Sequence, residues 1–207
     1  MSSQIIITIN RDFGSDGHEI GAQLARSLNI PLYDKDILGK AALKKGKDES
    51  SLRVADESLT KENINPFFPT LSFTRKSDQL FEIEREIIRD LAEVESCIIV
   101  GRLSDYILRD KKNLLNVFIT APFKFRAKNI QEKYNCSESE SKKLVRRMDI
   151  VRSDFKNYYS NGKYKLYENK SMIVLNREVF QIEGCVEILK AAYTLRLKQL
   201  KKGKDVR

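Results

Sequence analysis

Four short runs of apolar, mostly β-branched residues constrain this chain more than any other feature. They are Ile5–Ile9 (IIITI), Cys97–Val100 (CIIV), Leu115–Ile119 (LNVFI) and Met172–Leu175 (MIVL). Each run is continuous rather than alternating, so each strand needs cover on both faces, as in a parallel sheet wrapped by helices. A weaker fifth run lies at Ile30–Tyr33. Helical spacing fills the gaps: Ile20, Leu24 and Leu28 recur every four residues, Phe81–Ala92 (FEIEREIIRDLA) precedes CIIV, and Phe123–Tyr134 follows LNVFI. Alternation of this kind predicts an α/β fold, a doubly wound parallel sheet of five strands. The four strong runs should be adjacent, parallel and covered on both sides.

Ser137–Asn157 reads as a long helix. Ser137 and Glu140 form a capping box, hydroxyl and carboxylate each satisfying a free backbone N–H. Leu144, Met148, Val151, Phe155 and Tyr158 step along one face as a packing stripe. A last helix runs from about Ile182 to Leu200. Residues 46–80 are polar, with NPF and FPT prolines around Phe67–Phe68, and read as an inserted helical subdomain. With 41% hydrophobic and 32% charged residues, the 207-residue chain suits a single α/β domain over 1–207, carrying a helical insertion over 36–95 and a lid region over 137–170.

The charge narrows the class of partner. Thirty-eight Lys and Arg against 29 Asp and Glu give +9, but residues 196–207 alone hold six basic residues and one acidic. A basic tail of this kind reads as a solvated helix end, which argues against nucleic acid as the partner. Cys97, Cys136 and Cys185 are dispersed, and there is one His, which excludes a Cys/His zinc site and leaves no metal centre to assign. No run approaches the roughly 20 apolar residues of a membrane helix, and MSSQ followed by IIITI lacks the charged start of a signal peptide. A cytoplasmic protein is expected, with no membrane partner and a homodimer left open.

The first strand runs into Asn10-Arg11-Asp12-Phe13-Gly14-Ser15-Asp16-Gly17-His18-Glu19-Ile20-Gly21. A strand, a glycine-containing turn and a helix N-terminus present backbone N–H groups and a helix dipole to an anion. The P-loop, GxxxxGK[ST], adds a Lys for the terminal phosphates and a hydroxyl for magnesium. In register, Asp16 and Gly17 fall on its second Gly and its Lys, and His18-Glu19 on the following pair. Two readings stand side by side. Arg11, Gly14, Ser15, Gly17, His18 and Glu19 could hold phosphate, or Asp16 with Glu19 could form a carboxylate capping box that fills the helix end from within. On the second reading, Asp16→Gly with Gly17→Lys should restore a grip on ATP. A dinucleotide-binding reading needs GxGxxG, which is absent, although Asp34 ends a second strand about 20 residues on.

Five stretches in order, ITINRDFGSDGHEIG, IPLYDKDIL, SCIIVGRLSDYIL, NVFITAP with FRAKNI, and DIVRSDFKNYY, resemble the cytidylate kinase-like family of the P-loop nucleoside monophosphate kinases. The resemblance runs from Ile5 to about Glu187. It implies phosphoryl transfer from ATP, with Mg2+, to CMP or a related pyrimidine nucleotide. It also implies a helical lid and substrate-binding helices in the insertion. Members usually show FGSGGREIG, from which Asp16 and His18 depart, and the branch lacks the P-loop Lys. By resemblance Asp34, Lys40, Arg102 and Arg126 contact the monophosphate. The Asp that follows the Gly-Arg pair in true cytidylate kinases is Leu103 here. Asp149 and Arg152 keep a D-x-x-R spacing on the lid helix, and Arg146 and Arg147 stand near the place of a lid Arg that is Val145 in register. Catalytic roles thereby fall to Arg102, Arg152, Asp149 and Arg147.

Phosphoryl transfer needs positioning and charge stabilisation, and guanidinium forks grip phosphate oxygens in pairs. Arg102, Arg126 and Arg152 should therefore converge with Asp34 and Lys40 in one cleft. Arg102→Ala should weaken monophosphate binding by roughly 1.5–3 kcal/mol with little loss of stability. The alternative function is a nucleotide- or anion-binding protein without turnover, and a Rossmann-type oxidoreductase is a third. Tyr158, Tyr159, Tyr164 and Tyr167 cluster after the long helix, placed for base stacking or for packing.

Overall fold

The computed structural model describes residues 4–45, 75–166 and 172–202. In chain order these form β1 (Ile6–Arg11), α1 (Gly17–Leu28), β2 (Leu32–Tyr33), α2 (Lys35–Lys45), α3 (Arg75–Val94), β3 (Cys97–Val100), α4 (Ser104–Ile107), β4 (Leu114–Thr120), α5 (Phe123–Tyr134), α6 (Glu138–Tyr159), β5 (Met172–Asn176) and α7 (Arg177–Lys201). All five strands are parallel in the order β2-β3-β1-β4-β5, with Ile7 opposite Ile98 on one side and Leu115 on the other. The four strong apolar runs are neighbours, as their unbroken character requires.

The pleat sorts alternate residues to two cores. Ile5, Ile7 and Ile9 pack with Ile20 and Leu24 of α1 and with Val186 and Leu189 of α7. Ile6 turns the other way, to Phe81, Ile88 and Ala92 of α3 and Ile107 of α4. Thr8 and Asn116 are polar within covered strands. They satisfy each other, the Thr8 hydroxyl donating to Asn116 Oδ1 at 2.5 Å. β5 departs from the expectation of two covered faces. It is an edge strand paired only with β4, and Val174 is 47% exposed.

The capping box on α6 is present in both halves: the Glu140 N–H donates to Ser137 Oγ at 3.3 Å and the Ser137 N–H to the Glu140 carboxylate at 2.9 Å. The expected stripe on that helix needs correction. Leu144 and Val145 are buried with Ala127 and Ile130 of α5, whereas Tyr158 at the stripe's far end is exposed. α7 begins at Arg177 rather than near Ile182, and Gln181 breaks it (φ 55°, ψ 178°), so regular helical spacing resumes only at residue 182. Residues 46–74, about half of the expected insertion over 36–95, lie outside the described residues, as do Tyr167 and the end of the lid region. No described helix is long and apolar enough to cross a membrane. All three cysteines are free thiols.

Candidate active site

The carboxyl ends of β1 and β3 meet the start of α1 around one side chain, Arg11. The last residue of β1, it runs beneath the first residue of α1: a Cβ on Gly17 would stand 2.6 Å from Arg11 Cβ and 3.0 Å from Cγ. Its guanidinium ends at Gly101, where a Cβ would collide with Nη1. Two glycines thus make the track this side chain follows. Among the described residues no carboxylate is ion-paired with it. Burial, then the neighbouring Arg152 and Arg102, push Arg11 down to about 9, against a weaker pull from Asp34. It therefore remains a cation at neutral pH, set beside two others.

The loop between β1 and α1 does not close over its own helix end. Asp16 adopts the left-handed conformation at the N-cap position (φ 55°) and its side chain caps nothing. Its carboxylate is turned away, accepting from Asn129 Nδ2 at 2.7 Å and Arg177 Nε at 3.1 Å. The capping-box reading of Asp16 and Glu19 is overturned, because α5 and α7 supply better donors than the helix end. Glu19 is exposed, accepting from Gln23 at 3.0 Å and lying 3.5 Å from Arg26. Gly14 (φ 82°) is required, since a Cβ there would stand 2.8 Å from the Arg126 carbonyl oxygen. Ser15 is buried, with its hydroxyl 3.0 Å from the carbonyls of Asp12 and Ile119, so it faces the fold rather than a ligand.

Arg102 stands immediately after β3 within three consecutive left-handed residues, Gly101 (φ 77°), Arg102 (φ 54°) and Leu103 (φ 58°). For non-glycine residues this conformation costs about 1–2 kcal/mol each. The fork of Arg102 holds it there, Nε donating to Glu84 at 2.8 Å and Nη2 at 2.5 Å, with Glu84 0% exposed. The spacing of α3 carried a signal that sequence reading missed: Glu84 interrupts the buried stripe of Phe81, Ile88 and Ala92, and an acid in that place needs a cation.

Helix α6 grips the loop from the opposite side. Asp149 accepts the Phe13 N–H at 3.2 Å and the Arg126 guanidinium at 2.7 Å. Arg126, itself buried, also donates to the carbonyls of Phe13 and Ala121, each at 3.0 Å. Arg152 donates to the Arg11 carbonyl at 2.9 Å and lies over the Phe13 ring, and burial brings it down to about 10. One turn on, Lys156 sits over the rings of Phe118 and Tyr164, and burial lowers its pKa against the field of Asp105. Lys156 was missed in the sequence, although Asp149, Arg152 and Lys156 share one helical face by spacing. Tyr164 donates to Asp105 Oδ2 at 2.8 Å, and Tyr159 stacks on Phe81 at 3.9 Å, so both tyrosines pack within the fold.

Asp34, at the end of β2, accepts the Ile37 N–H at 3.0 Å and contacts His18 Nε2 at 2.9 Å. Burial pushes its carboxyl up, but the Ile37 amide, His18 and the Asp36 amide hold it below the usual range. Lys40 belongs to α2, with its side chain outside the described residues, and Arg147 is exposed on α6. Arg11, Arg102, Arg126 and Arg152 thus line one region, but two of them are ion-paired, Arg102 with Glu84 and Arg126 with Asp149, while Arg152 donates to the Arg11 carbonyl. A phosphoryl group fits the remaining positive charge. Magnesium held as in a P-loop does not fit, because no hydroxyl follows Gly17: the next two residues are His18, on Asp34, and Glu19, drawn away by Gln23 and Arg26.

Among solved structures, an uncharacterized protein from Eubacterium ventriosum is 26% identical with a TM-score of 0.69, the match covering 92% of this chain and 98% of that one. A shikimate kinase from Bacteroides thetaiotaomicron (16% identity, TM-score 0.52, covering 91% and 98%) shares the fold. So does a gluconokinase from Sinorhizobium meliloti (14%, 0.54, 98% and 97%). No curated protein matches the sequence. The α/β architecture is therefore that of the P-loop kinases. The model of the cytidylate kinase-like family matches residues 6–177, and the chain belongs to that family.

Proposed function

We propose that the protein is a phosphotransferase that moves a phosphoryl group from ATP to a nucleoside monophosphate, with CMP the acceptor that family membership favours. The observation that carries this reading is the group of cations at the carboxyl ends of β1 and β3. Arg11 is half-buried beside Arg102 and Arg152, and among the described residues no carboxylate is ion-paired with it. The Arg11 guanidinium, set beside two other cations, is retained where a dianion would relieve it. The strained Gly101-Arg102-Leu103 turn supports the same region, since such strain gathers at ligand sites. Arg11 and Arg152 would hold and neutralise phosphate oxygens, and Arg102, fixed by Glu84, would set their spacing. When bound, magnesium would ride on the nucleotide's own phosphates.

A binding protein without turnover is the second reading. The absence of the P-loop Lys favours it, and so does the fastening of α6 to the loop through Asp149, Arg126 and Arg152. Coupled detection of ADP from ATP-Mg2+ with CMP, UMP, shikimate or gluconate separates the two. ADP release that needs CMP supports the enzyme. CMP binding without ADP release under any acceptor supports the binder.

A further inference from the structure

The P-loop motif places a glycine six residues before its lysine. In this chain those two positions are Arg11 and Gly17, so the residue types are exchanged. The exchange is steric as well as formal. Arg11 Cβ and Cγ occupy the space directly over Gly17, where any side chain on residue 17 would have to begin. Gly101 leaves room at the other end for the guanidinium. A lysine at 17 and an arginine at 11 cannot both take their places. Resting on the proposed phosphoryl chemistry, the geometry points to Arg11 as the cation that grips the transferred or terminal phosphate, delivered from the end of β1 in place of the lysine of α1, with Gly17 and Gly101 as its required clearances.

This makes the loop a rebuilt phosphate site rather than a degraded one. It also reverses the expectation drawn from sequence for Asp16→Gly with Gly17→Lys, because a lysine at 17 should displace Arg11 instead of adding a second cation. Asp16 does not interfere, because Asn129 and Arg177 hold its carboxylate away.

Calorimetric titration of pyrophosphate and inorganic phosphate at fixed ionic strength, with melting curves of the free proteins, tests the exchange. Arg11→Met should weaken pyrophosphate binding at least tenfold while leaving the melting temperature unchanged or higher, since it removes a cation from beside two others. Gly17→Ala, which changes no charge, should also weaken binding several-fold. Gly17→Lys should bind no tighter than the parent, and Arg11→Gly with Gly17→Lys should return to within about threefold of it. The inference is overturned if the parent binds neither anion, if Arg11→Met binds like the parent or melts markedly lower, or if Gly17→Lys alone binds tenfold tighter. Pyrophosphate binding through Arg11 without ADP release from any acceptor would leave the inference standing and remove turnover. ADP release unaffected by Arg11→Met would do the reverse.

Discussion

At the scale of single residues, Arg102 shows how one side chain carries two demands. By resemblance its loss should have spared the fold. Instead its fork is the partner of Glu84, which has no exposure, so its removal strands a buried carboxylate. Arg102→Ala should cost about 3 kcal/mol in denaturant unfolding, and adding Glu84→Leu should recover most of that loss. Recovery failing in the double variant would mean that the strained turn, not the ion pair, sets the cost. Tyr164 gives a pH test. Burial and Asp105 raise its pKa above the ordinary value near 10. Its contribution is therefore complete below about pH 10 and lost as pH rises through the folded-state value. Asp105 Oδ1 is already buried without a partner, so Tyr164→Phe should cost about 1–3 kcal/mol at neutral pH and flatten the alkaline fall in stability. Chemical denaturation of both proteins from pH 7 to 11 decides it. Neither partnership was legible from residue types alone, because Glu84 and Asp105 are far in sequence from the groups they meet.

At the scale of elements, the continuous apolar runs were legible because a strand covered on both faces has no polar positions to spare. β3 follows that rule throughout, β1 and β4 follow it apart from Thr8, Asn10 and Asn116, of which Thr8 and Asn116 satisfy each other, and β5 escapes it by lying at the sheet edge. The α6 cap was legible because its chemistry is local, both partners lying within four residues. Ser137→Ala should accordingly cost about 1 kcal/mol, read from thermal or denaturant unfolding. What α6 does was not legible. On one face Asp149 and Arg152 hold the end of β1 and the loop after it, and Lys156 lies over Phe118 and Tyr164, rather than pointing wholly to a ligand. Asp149→Ala removes the acceptor of the Phe13 N–H and of Arg126. It should lower stability by about 1–3 kcal/mol and speed hydrogen exchange at the Phe13 amide. Unchanged exchange at Phe13 would show that Arg126 and Arg152 hold the loop without it.

At the scale of the whole molecule, the net +9 says less than the placement of charge. Much of the excess sits in the tail, whereas the cations at the site are few and carried by three separate elements: Arg11 on β1, Arg102 after β3 and Arg152 on α6. Sheet order brings β1 and β3 side by side, and that adjacency turns dispersed arginines into one anion site. Resemblance named Arg102, Arg126 and Arg152, and the loop pattern offered Arg11, but only the folded packing separates Arg126, consumed by Asp149 and carbonyls, from Arg11, whose charge faces no paired carboxylate among the described residues. The proposed site recognises a phosphate rather than a base. Calorimetric titration of CMP and of cytidine into the protein at the same ionic strength tests this most directly. CMP should bind at least about 100-fold tighter, roughly 2.7 kcal/mol, and Arg11→Met with Arg152→Met should erase most of that difference. Equal affinity for CMP and cytidine, or a phosphate preference untouched by the two substitutions, would contradict it.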